Sequence, residues 1–391
     1  MSPPLRVAFV AHEGEHGGAD LVLGEVVPAL MEAGLCEPLV VVPKEAALAE
    51  DLRRSGVPIV RARYGWWCTH VAEPRAPVVV AAKQTLYHAR EGWRDGAHVA
   101  DAVAGFAPHL VVSNTCVICA GAVAATRLRV PHVWLAQEFG VKDYALRFFL
   151  GFGPSMRLLG WRSSSVIAAS EAIASDLRKR VSPRKVHPLH LPCLMPTGSV
   201  VTPRVDGEPL RLLFLRADTI GKGVVDAVAG VARARARGVD AQLRIVGVHK
   251  VERIQRIVAR AGATDGVTIV GRVDDVVAEI DRAHAALVCS RSEGFGRVTV
   301  EYLRRGRPVI GTRAGGTPEL VDDGVSGLLF EVGDTAALAD HVALLASSND
   351  ALCSMSRAAL EQSSARFLLP DYVASFHRLL TEAGRRRRAP N

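Results

Sequence analysis

Aromatic side chains, cysteine and long apolar runs are all scarce in this sequence of 391 residues, of which 5% are aromatic. The apolar runs, such as Val78 to Ala82 and Leu39 to Val42, have the length of a strand. They fall far short of the ~20 residues that a helix needs to cross a bilayer. Val7 to Ala11 is likewise too short for the apolar core of a secretory signal. We therefore expect a cytoplasmic protein without a membrane span.

Cysteine occurs seven times, an odd number, scattered along the chain. Without a predicted export signal, this usage indicates a reducing compartment. Cys116 and Cys119 form the only CxxC pair. Because a structural zinc site needs four ligands and no second pair completes the set, we expect two buried small residues here. The sequence predicts no metal site and no cofactor.

The charge balance leaves two classes of partner open. With 49% hydrophobic and 23% charged residues, the composition is that of a folded globular protein, and the net charge is +8. This charge suits either a nucleoside diphosphate in a cleft or an anionic lipid surface. The basic run from Arg385 to Arg388 is typical of a solvated tail. The sequence has no signature of a nucleic-acid-binding module, so we do not expect nucleic acid as a partner.

Strand and helix patterns alternate along the chain, which is typical of α/β proteins with parallel sheets. A proline-rich stretch between His187 and Pro209 interrupts the alternation and has the composition of a linker. The sequence predicts strands at residues 6–11, 39–42, 59–62, 110–113, 133–136, 165–169, 211–215, 242–247, 267–271, 285–288, 308–312 and 327–330. It predicts helices at residues 21–32, 223–236, 251–261, 275–284 and 297–305, and a short helix from Thr317.

This division predicts two domains, one over residues 1–198 and one over residues 199–365. We expect the last helical segment, residues 366–391, to pack back on the first domain. Each domain would be a doubly wound, Rossmann-like parallel sheet, with the two domains facing a cleft. In such sheets ligands bind beyond the carboxyl ends of the strands.

The stretch from Ser290 to Glu301 is the clearest candidate for a ligand site. It follows the predicted buried strand at 285–288, and a helical pattern begins at Arg297. Gly294 and Gly296 therefore fall in a strand-to-helix turn, where the backbone can approach a ligand closely. A phosphate at this turn would meet free N–H groups and the positive end of the helix dipole.

Two glutamates flank this turn. Glu293 stands at its edge and can accept hydrogen bonds from sugar hydroxyls, and Glu301 lies about one turn inside the helix and can accept from both hydroxyls of a ribose. The alternative is a tight loop followed by an exposed helical glutamate. The spacing favours a site for a sugar nucleotide.

Glycine-containing motifs stand in a fixed order along the chain: Gly17-Gly18-Ala19, Arg216-Ala-Asp-Thr-Ile-Gly-Lys222-Gly, Leu243-Arg-Ile-Val-Gly247, Val270-Gly-Arg-Val273, Glu293-Gly-Phe-Gly296, Gly315-Gly-Thr-Pro-Glu319 and Gly324-Val-Ser-Gly327. Together they resemble family 4 of the retaining glycosyltransferases with the GT-B fold, a family that transfers sugars from nucleotide donors. Each motif alone is a weak signal, but the order and spacing are specific. The resemblance covers nearly the whole chain.

The resemblance implies a role for individual residues. Arg216 and Lys222 match two cations that grip the donor diphosphate and stabilise the charge that grows on the leaving group. Arg272 matches a position beside the nucleoside base, and Gly17 and Gly18 match a loop near the donor phosphate and the acceptor. The alternatives are a surface lysine, a solvated arginine and an ordinary β-α turn.

The same resemblance counts Glu293 with the catalytic residues and places Gly294, Phe295, Gly296 and Glu301 around the donor. Retention in such enzymes is implied to need no protein nucleophile, because the departing diphosphate oxygen takes the acceptor's proton on the same face of the sugar. Catalysis would then depend on positioning and charge stabilisation, without a metal.

One position departs from the family pattern. Relatives often have a histidine before an acidic residue after the strand at 131–136, and this chain has Gln137 and Glu138. Glutamine can hydrogen-bond a hydroxyl but does not titrate. We take both residues as acceptor-side candidates, and the hexose is left undefined.

The segment from Tyr144 to Arg162 mixes large apolar groups with arginines, as an interfacial helix does. Gly151, Gly153 and Pro154 interrupt it, so a helix packed beside the cleft is the alternative. The first interpretation predicts weak peripheral contact with a membrane.

The function expected from the resemblance is a hexosyl transfer from a nucleoside-diphosphate sugar to a hydroxyl of a glycan, a lipid-linked acceptor or a small molecule. A UDP-sugar is the favoured donor, and GDP-mannose is the alternative. Two other classes stay open: a nucleotide-sugar epimerase on the same fold, and a non-catalytic module that binds nucleotide sugars.

Overall fold

The computed structural model describes residues 4–12, 18–70, 78–144, 146–215 and 220–385. The chain forms two compact units, residues 1–192 with 369–391 and residues 193–368. The chain passes from unit 1 to unit 2 after residue 192, which is six residues before the division expected after residue 198. Residues 193–198 lie with the second unit because their backbone bonds to it: Cys193 N donates to Phe367 O, and Gly198 N donates to Arg304 O.

Within the described residues, unit 1 contains a parallel sheet of seven strands in the order β3-β2-β1-β5-β6-β8-β9. Strand β1 lies centrally between β2 and β5, and its apolar residues Val7 to Val10 are fully buried. A strand with both faces covered requires such an uninterrupted apolar run. The elements are β1 (Leu5–Val10), α1 (Gly18–Glu32), β2 (Cys36–Val42), α2 (Ala47–Arg54), β3 (Ile59–Arg61), β4 (Cys68–His70), α3 (Val78–Val103), β5 (Leu110–Asn114), α4 (Ala120–Leu128), β6 (His132–Ala136), α5 (Val141–Tyr144), β7 (Leu146–Phe148), α6 (Phe152–Arg162), β8 (Ser165–Ala168), α7 (Glu171–Arg178) and β9 (Val186–Pro188).

Unit 2 contains, in its described part, a six-stranded parallel sheet in the order β12-β11-β10-β13-β14-β15. Its central strands carry fully buried side chains such as Leu210, Ile245 and Ile310, and helices cover both faces. The elements are β10 (Leu210–Leu215), α8 (Val224–Ala236), β11 (Ala241–Val246), α9 (Val251–Arg260), β12 (Val267–Ile269), α10 (Val276–Asp281), β13 (Ala285–Val288), α11 (Arg297–Arg304), β14 (Val309–Thr312), α12 (Thr317–Leu320), β15 (Gly327–Phe330), α13 (Thr335–Ser347) and α14 (Asn349–Arg366).

The two sheets share one strand order, since each runs outwards in one direction from its first strand and then reverses. The reversal lies between β1 and β5 in unit 1 and between β10 and β13 in unit 2. Helices that follow the two strands on either side of such a point diverge, which leaves a crevice at the carboxyl ends. The architecture is therefore α/β with two Rossmann-like sheets, as predicted.

The last helix, α15 (Leu369–Arg385), belongs to unit 1. It buries Tyr372, Val373, Phe376 and Leu380, which recur at helical spacing and form one apolar stripe. The segment therefore belongs with the first unit. Residues 386–388 of the basic run lie outside the described residues.

The segment expected as one interfacial helix is broken into three elements, so that prediction was wrong in its detail. Tyr144 ends α5, β7 pairs antiparallel with β4, and α6 begins after Gly151. Gly151, the N-cap residue of α6, has φ +79°, so a regular helix cannot continue through it. Among the described residues, no helix combines the length and apolar character needed to span a membrane.

Candidate functional site

The reversal point of unit 2 brings two chain segments together. One follows β10 and contains Lys222, and the other follows β13 and contains Ser290 and Glu293. Their backbones are linked directly, because Arg291 N donates to Gly221 O at 2.9 Å. The carboxyl ends of two neighbouring strands thus present charged side chains at one place, which only the strand order could arrange.

An ion pair between Lys222 and Glu293 occupies this point. Lys222 Nζ lies 2.9 Å from both Glu293 Oε1 and Oε2. Ser290 Oγ donates to Glu293 Oε2 at 2.7 Å, so one carboxylate oxygen accepts two bonds. The side chains of Lys222 and Glu293 are 31% and 14% exposed, which leaves the ammonium the more accessible of the two. The geometry fixes a cation at the edge of a strand-to-helix corner.

Two glycines with positive φ precede the helices that follow Lys222 and Glu293. Gly223 precedes α8 with φ +75°, and a Cβ there would lie 1.8 Å from Cys289 O. Gly296 precedes α11 with φ +102°. A side chain at Gly223 would displace backbone, and one at Gly296 would be strained by the positive φ and would crowd the side chains of Leu320 and Thr299. Helix α8 thus begins two residues after Lys222, and α11 begins four residues after Glu293.

The loop that carries Glu293 rests on a second glycine turn. Gly316 N donates to Glu293 O at 2.8 Å. A Cβ on Gly315, which has φ +58°, would lie 2.0 Å from that same oxygen, and a Cβ on Gly316 would lie 2.5 Å from Phe295 O. The Gly315-Gly316 motif is thus explained by the close approach of two backbones.

The remaining donor-side residues of this loop have distinct environments. The side chain of Phe295 is buried edge-on against Phe367, so only its backbone faces the turn around Gly294. Glu301 is largely buried, and Arg297 Nε donates to its Oε1 at 3.2 Å. Glu301 is therefore not the exposed helical glutamate of the alternative interpretation.

Other predicted residues lie apart from this cluster or beyond the described chain. Arg272 is exposed and follows β12, on the far side of β11 from the ion pair. Arg216 and Gly17 lie outside the described residues, and Gly18 is the first residue of α1. The structure therefore brings together Lys222 and the Glu293 loop, with Glu301 on the helix that follows.

Unit 2 contains two pairs of adjacent aspartates, Asp274-Asp275 and Asp322-Asp323, and one member of each pair bonds to a nearby backbone N–H. Asp275 Oδ1 accepts from Ala278 N and caps α10, and Asp323 Oδ1 accepts from Leu329 N. No group of three or more His, Cys, Asp or Glu residues that could hold a metal ion occurs within the described ranges.

Unit 1 carries a different set of groups at its own reversal point. Gln137 and Glu138 follow β6, and Gln137 Nε2 donates to Asn114 Oδ1 at 2.6 Å at the end of β5. Glu138 Oε1 accepts from Cys116 N at 2.9 Å. Although the residue is partly accessible, removal of water from its carboxyl raises the pKa of Glu138 to about 7, and the nearby Asp143 carboxylate adds to the increase.

Sequence reasoning missed three buried polar residues at this edge. Asn114 Nδ2 donates to Ala19 O at 3.1 Å and approaches Asp20 Oδ1 at 3.4 Å. Thr115 has φ +102°, and its buried Oγ1 has no hydrogen-bond partner among the described residues. A β-branched residue in this conformation is strained, and such strain is concentrated at functional sites. A polar residue directly after a buried strand was the available signal.

Part of the chain matches a known protein family. Residues 211–348, which include the whole Lys222 and Glu293 corner, match the family described as glycosyl transferases group 1. The N-acetyl-α-D-glucosaminyl L-malate synthase of Bacillus anthracis is 33% identical over 156 residues, 40% of this chain and 41% of that protein. The D-inositol 3-phosphate glycosyltransferase of Saccharomonospora viridis is 37% identical over 111 residues, 28% of this chain and 23% of that protein. The chain thus spans less than half the length of these two curated relatives.

Solved structures extend the likeness to nearly the whole chain. HepE of Anabaena, solved in complex with UDP, superposes with a TM-score of 0.75 at 18% identity, covering 96% of this chain and all of the other. At this identity the likeness establishes the fold. The chain accordingly has the two-sheet fold of the GT-B glycosyltransferases, and its residues 211–348 match the glycosyl transferases group 1 family.

Proposed function

We propose that the protein is a retaining glycosyltransferase of family 4 that transfers a hexosyl unit from a nucleoside-diphosphate sugar to a hydroxyl. The observation that carries this proposal is the Lys222–Glu293 ion pair at the reversal point of unit 2, within the segment that matches a glycosyltransferase family. A cation held beside the first amides of two helices is suited to a diphosphate.

The proposed catalytic roles follow from charge. Lys222, with Arg216 as the second cation, neutralises the charge that develops on the diphosphate as the glycosidic bond breaks. Glu293 holds the ammonium in place and offers carboxylate oxygen to a sugar hydroxyl. The amides of Gly294, Phe295 and Gly296 supply neutral donors at the start of α11.

On the nucleoside side, Glu301 is proposed to accept from the ribose hydroxyls and Arg272 to lie beside the base. A UDP-sugar is the favoured donor because HepE, which shares the fold, was solved with UDP. GDP-mannose is the alternative. Comparing the rise in melting temperature with UDP and with GDP tests the choice.

Retention is proposed to proceed on one face of the sugar. The acceptor hydroxyl attacks the anomeric carbon as the diphosphate leaves, and the departing oxygen takes the hydroxyl proton. The new bond then has the stereochemistry of the old one. Proton NMR of the product's anomeric signal measures this directly, and an inverted anomer would contradict it.

The acceptor is proposed to be a small molecule, a glycan or a lipid-linked sugar that offers a hydroxyl. The names of the two relatives point to L-malate and D-inositol 3-phosphate, and HepE was also solved with UDP and glucose, so these three compounds form a first acceptor panel. Gln137 and Glu138 are the proposed residues on this side, and Gly17 and Gly18 are proposed to lie near the donor phosphate. Release of UDP from UDP-glucose should increase when the right acceptor is added.

The same assay separates the rival classes. An epimerase would change UDP-glucose into another UDP-hexose without an acceptor, which chromatography of the nucleotide sugar detects. A binding module would raise the melting temperature with UDP but release none from UDP-glucose. Acceptor-dependent UDP release is the result expected of a transferase.

We also propose that the protein is cytoplasmic and that it makes peripheral contact with an anionic membrane through α6. The exposed side of α6 and the turn before it combines apolar with basic groups, and Trp161 is 70% exposed. Its exposed members are Leu150, Arg157, Leu158, Trp161 and Arg162, and the exposed Arg147 lies just before them on β7.

Flotation with anionic liposomes at low salt tests this contact. Trp161→Ala should reduce the bound fraction, because an aromatic side chain anchors in the headgroup region. Trp93→Ala is the matched control, since Trp93 is also exposed but lies on α3. Equal binding of both variants, or no binding of the wild-type protein, would contradict the proposal.

A further inference from the structure

A chain of side-chain hydrogen bonds runs through unit 1 from its first helix to the end of β6. Asp20, at the start of α1, lies 3.4 Å from Asn114 Nδ2, and Asn114 Oδ1 accepts from Gln137 Nε2 at 2.6 Å. Asp20 and Asn114 are buried, whereas Gln137 is partly exposed. The chain therefore connects the interior to the accessible edge of the sheet.

The orientation of each amide in this chain is determined by its neighbours. Ala19 O, 3.1 Å from Asn114 Nδ2, can only accept, so the NH2 group of Asn114 must face it. The carboxylate of Asp20, which already accepts from His12 N at 3.1 Å, requires the same orientation. Asn114 Oδ1 consequently points towards Gln137.

Gln137 must then direct its own NH2 group inward. Its Oε1 lies on the opposite side of the planar amide and receives no hydrogen bond from the described residues. Because Gln137 is partly exposed, this oxygen and the second N–H are available to a ligand. A group that both donates and accepts satisfies the pair, whereas a phosphate or carboxylate oxygen cannot donate to Oε1.

We infer that Asp20 and Asn114 are positioning residues that orient the Gln137 carboxamide to bind a hydroxyl of the acceptor. This inference rests on the proposed glycosyltransferase function and adds a structural basis for choosing a neutral hydroxyl at this point. It also explains how a residue that does not titrate can serve here, since its contribution is orientation.

The discriminating variant is Gln137→Glu. We call the hydrogen-bonded chain of Asp20, Asn114 and Gln137 the relay. A carboxylate is a good acceptor for a hydroxyl, so this variant should act like the wild type if the relay did not orient the side chain. With the relay, the carboxylate faces Asn114 Oδ1, two acceptors oppose each other, and kcat/KM for the acceptor should fall about a hundredfold. Gln137→Ala should fall only about tenfold, as expected for loss of one neutral hydrogen bond.

A second substitution tests whether the effect passes through Asn114. Asn114→Ala removes the Oδ1 acceptor that would oppose a carboxylate at position 137. In the Asn114→Ala background Gln137→Glu should therefore lower kcat/KM by less than about tenfold, although Asn114→Ala alone lowers kcat/KM because it no longer orients Gln137. Equal effects of Gln137→Glu in the two backgrounds would overturn the relay.

The measurements use UDP-glucose with the acceptor of the panel that gives the fastest UDP release. Melting temperatures of the four proteins in the cycle, without substrate, should show that Gln137→Glu destabilises the Asn114→Ala protein less than it destabilises the wild type, and they do not depend on activity. The UDP-induced rise in melting temperature should be equal in all four, because UDP is proposed to bind unit 2. A wild-type protein that neither responds to UDP nor releases it would overturn the proposed function, and with it the hydroxyl role of Gln137. A wild-type protein that turns over, with Gln137→Glu unimpaired, would overturn the inference alone.

Discussion

The two reversal points have the same strand order and different chemistry. In unit 2 the edge carries the Lys222–Glu293 ion pair, held by glycine turns that admit no side chain. In unit 1 the corresponding edge carries the neutral amides of Asn114 and Gln137, with the strained Thr115 between the sheet and α4. The repeated architecture thus provides two crevices, and the residues after the strands decide whether each suits an anion or a hydroxyl.

The largest effect should come from removing the cation of unit 2. Lys222→Ala takes away the charge proposed to stabilise the leaving diphosphate, so kcat should fall by about 10²–10³. Initial rates of UDP release from UDP-glucose measure this. Lys250→Ala, which removes an exposed lysine elsewhere in unit 2, should leave the rate unchanged. A rate for Lys222→Ala near that of the control would contradict the assignment.

Loss of the partner carboxylate should be nearly as severe. Glu293→Ala leaves the ammonium of Lys222 without its carboxylate and removes an acceptor for the sugar, so kcat/KM should fall about a hundredfold while the protein stays folded. Circular dichroism and the rate of UDP release are the measurements. Glu252→Ala, at an exposed glutamate of α9, provides the control. Wild-type turnover in Glu293→Ala would contradict a role in the reaction.

The glycine turn beneath the ion pair can be tested by its stability. In Gly315→Ala the new Cβ would lie 2.0 Å from Glu293 O, in addition to the positive φ, so the free energy of unfolding should fall by about 3 kcal/mol. Gly324→Ala has the same sign of φ but open space around its Cβ, and should lose only about 1 kcal/mol. Urea unfolding compares the two variants, and equal losses would show that close packing is unimportant.

The free energy of unfolding should depend on pH through Glu138, which lies at the edge of the unit 1 sheet. The folded-state pKa of Glu138 is about 7 and its ordinary value is 4.5, so the folded protein binds the proton more tightly. The stability from this group is therefore fully present below pH 4.5 and is lost as the pH rises from about 4.5 to 7. Glu138→Gln keeps an acceptor for Cys116 N and does not ionise. From pH 5 to pH 8 its free energy of unfolding should gain about 1–3 kcal/mol relative to the wild type.

The wild type and Glu138→Gln share all other titrating groups, so these groups cancel when the two free energies of unfolding are subtracted. One of them is His132, and its pKa is lowered by burial to about 3. Urea unfolding at pH 5 and at pH 8 gives the values. Parallel pH profiles for the two proteins would show that the carboxyl of Glu138 does not titrate in this range.

The smallest expected effect concerns metal. If the cations of unit 2 are sufficient for the diphosphate, EDTA should change the rate of UDP release by less than about twofold. Restoration of a lost rate by Mg²⁺ or Mn²⁺ would contradict this prediction.

Most strands could be predicted because a buried parallel strand is a short apolar run between turn residues. The strands at Ala285–Val288 and Gly327–Phe330 begin and end where the pattern indicated. The helix Arg297–Arg304 was also clear, since Gly296 and Gly306 bound it. Strong local patterns of this kind need no tertiary context.

The failures have two causes. The run at Val78–Ala82 has strand length but begins the 26-residue helix Val78–Val103, because apolar runs alone do not separate strand from helix. The pairing of Cys68–His70 with Leu146–Phe148 joins segments far apart in the chain, so no local pattern could reveal it.

The sequence by itself determined the α/β class, the order of the elements and the chemistry of the Glu293 turn, because apolar periodicity and glycine requirements are local. Only the tertiary structure decided that Lys222 meets Glu293 and that Asp20, Asn114 and Gln137 form one chain of hydrogen bonds. These residues are far apart along the chain, and the strand order brings them within hydrogen-bonding distance of one another.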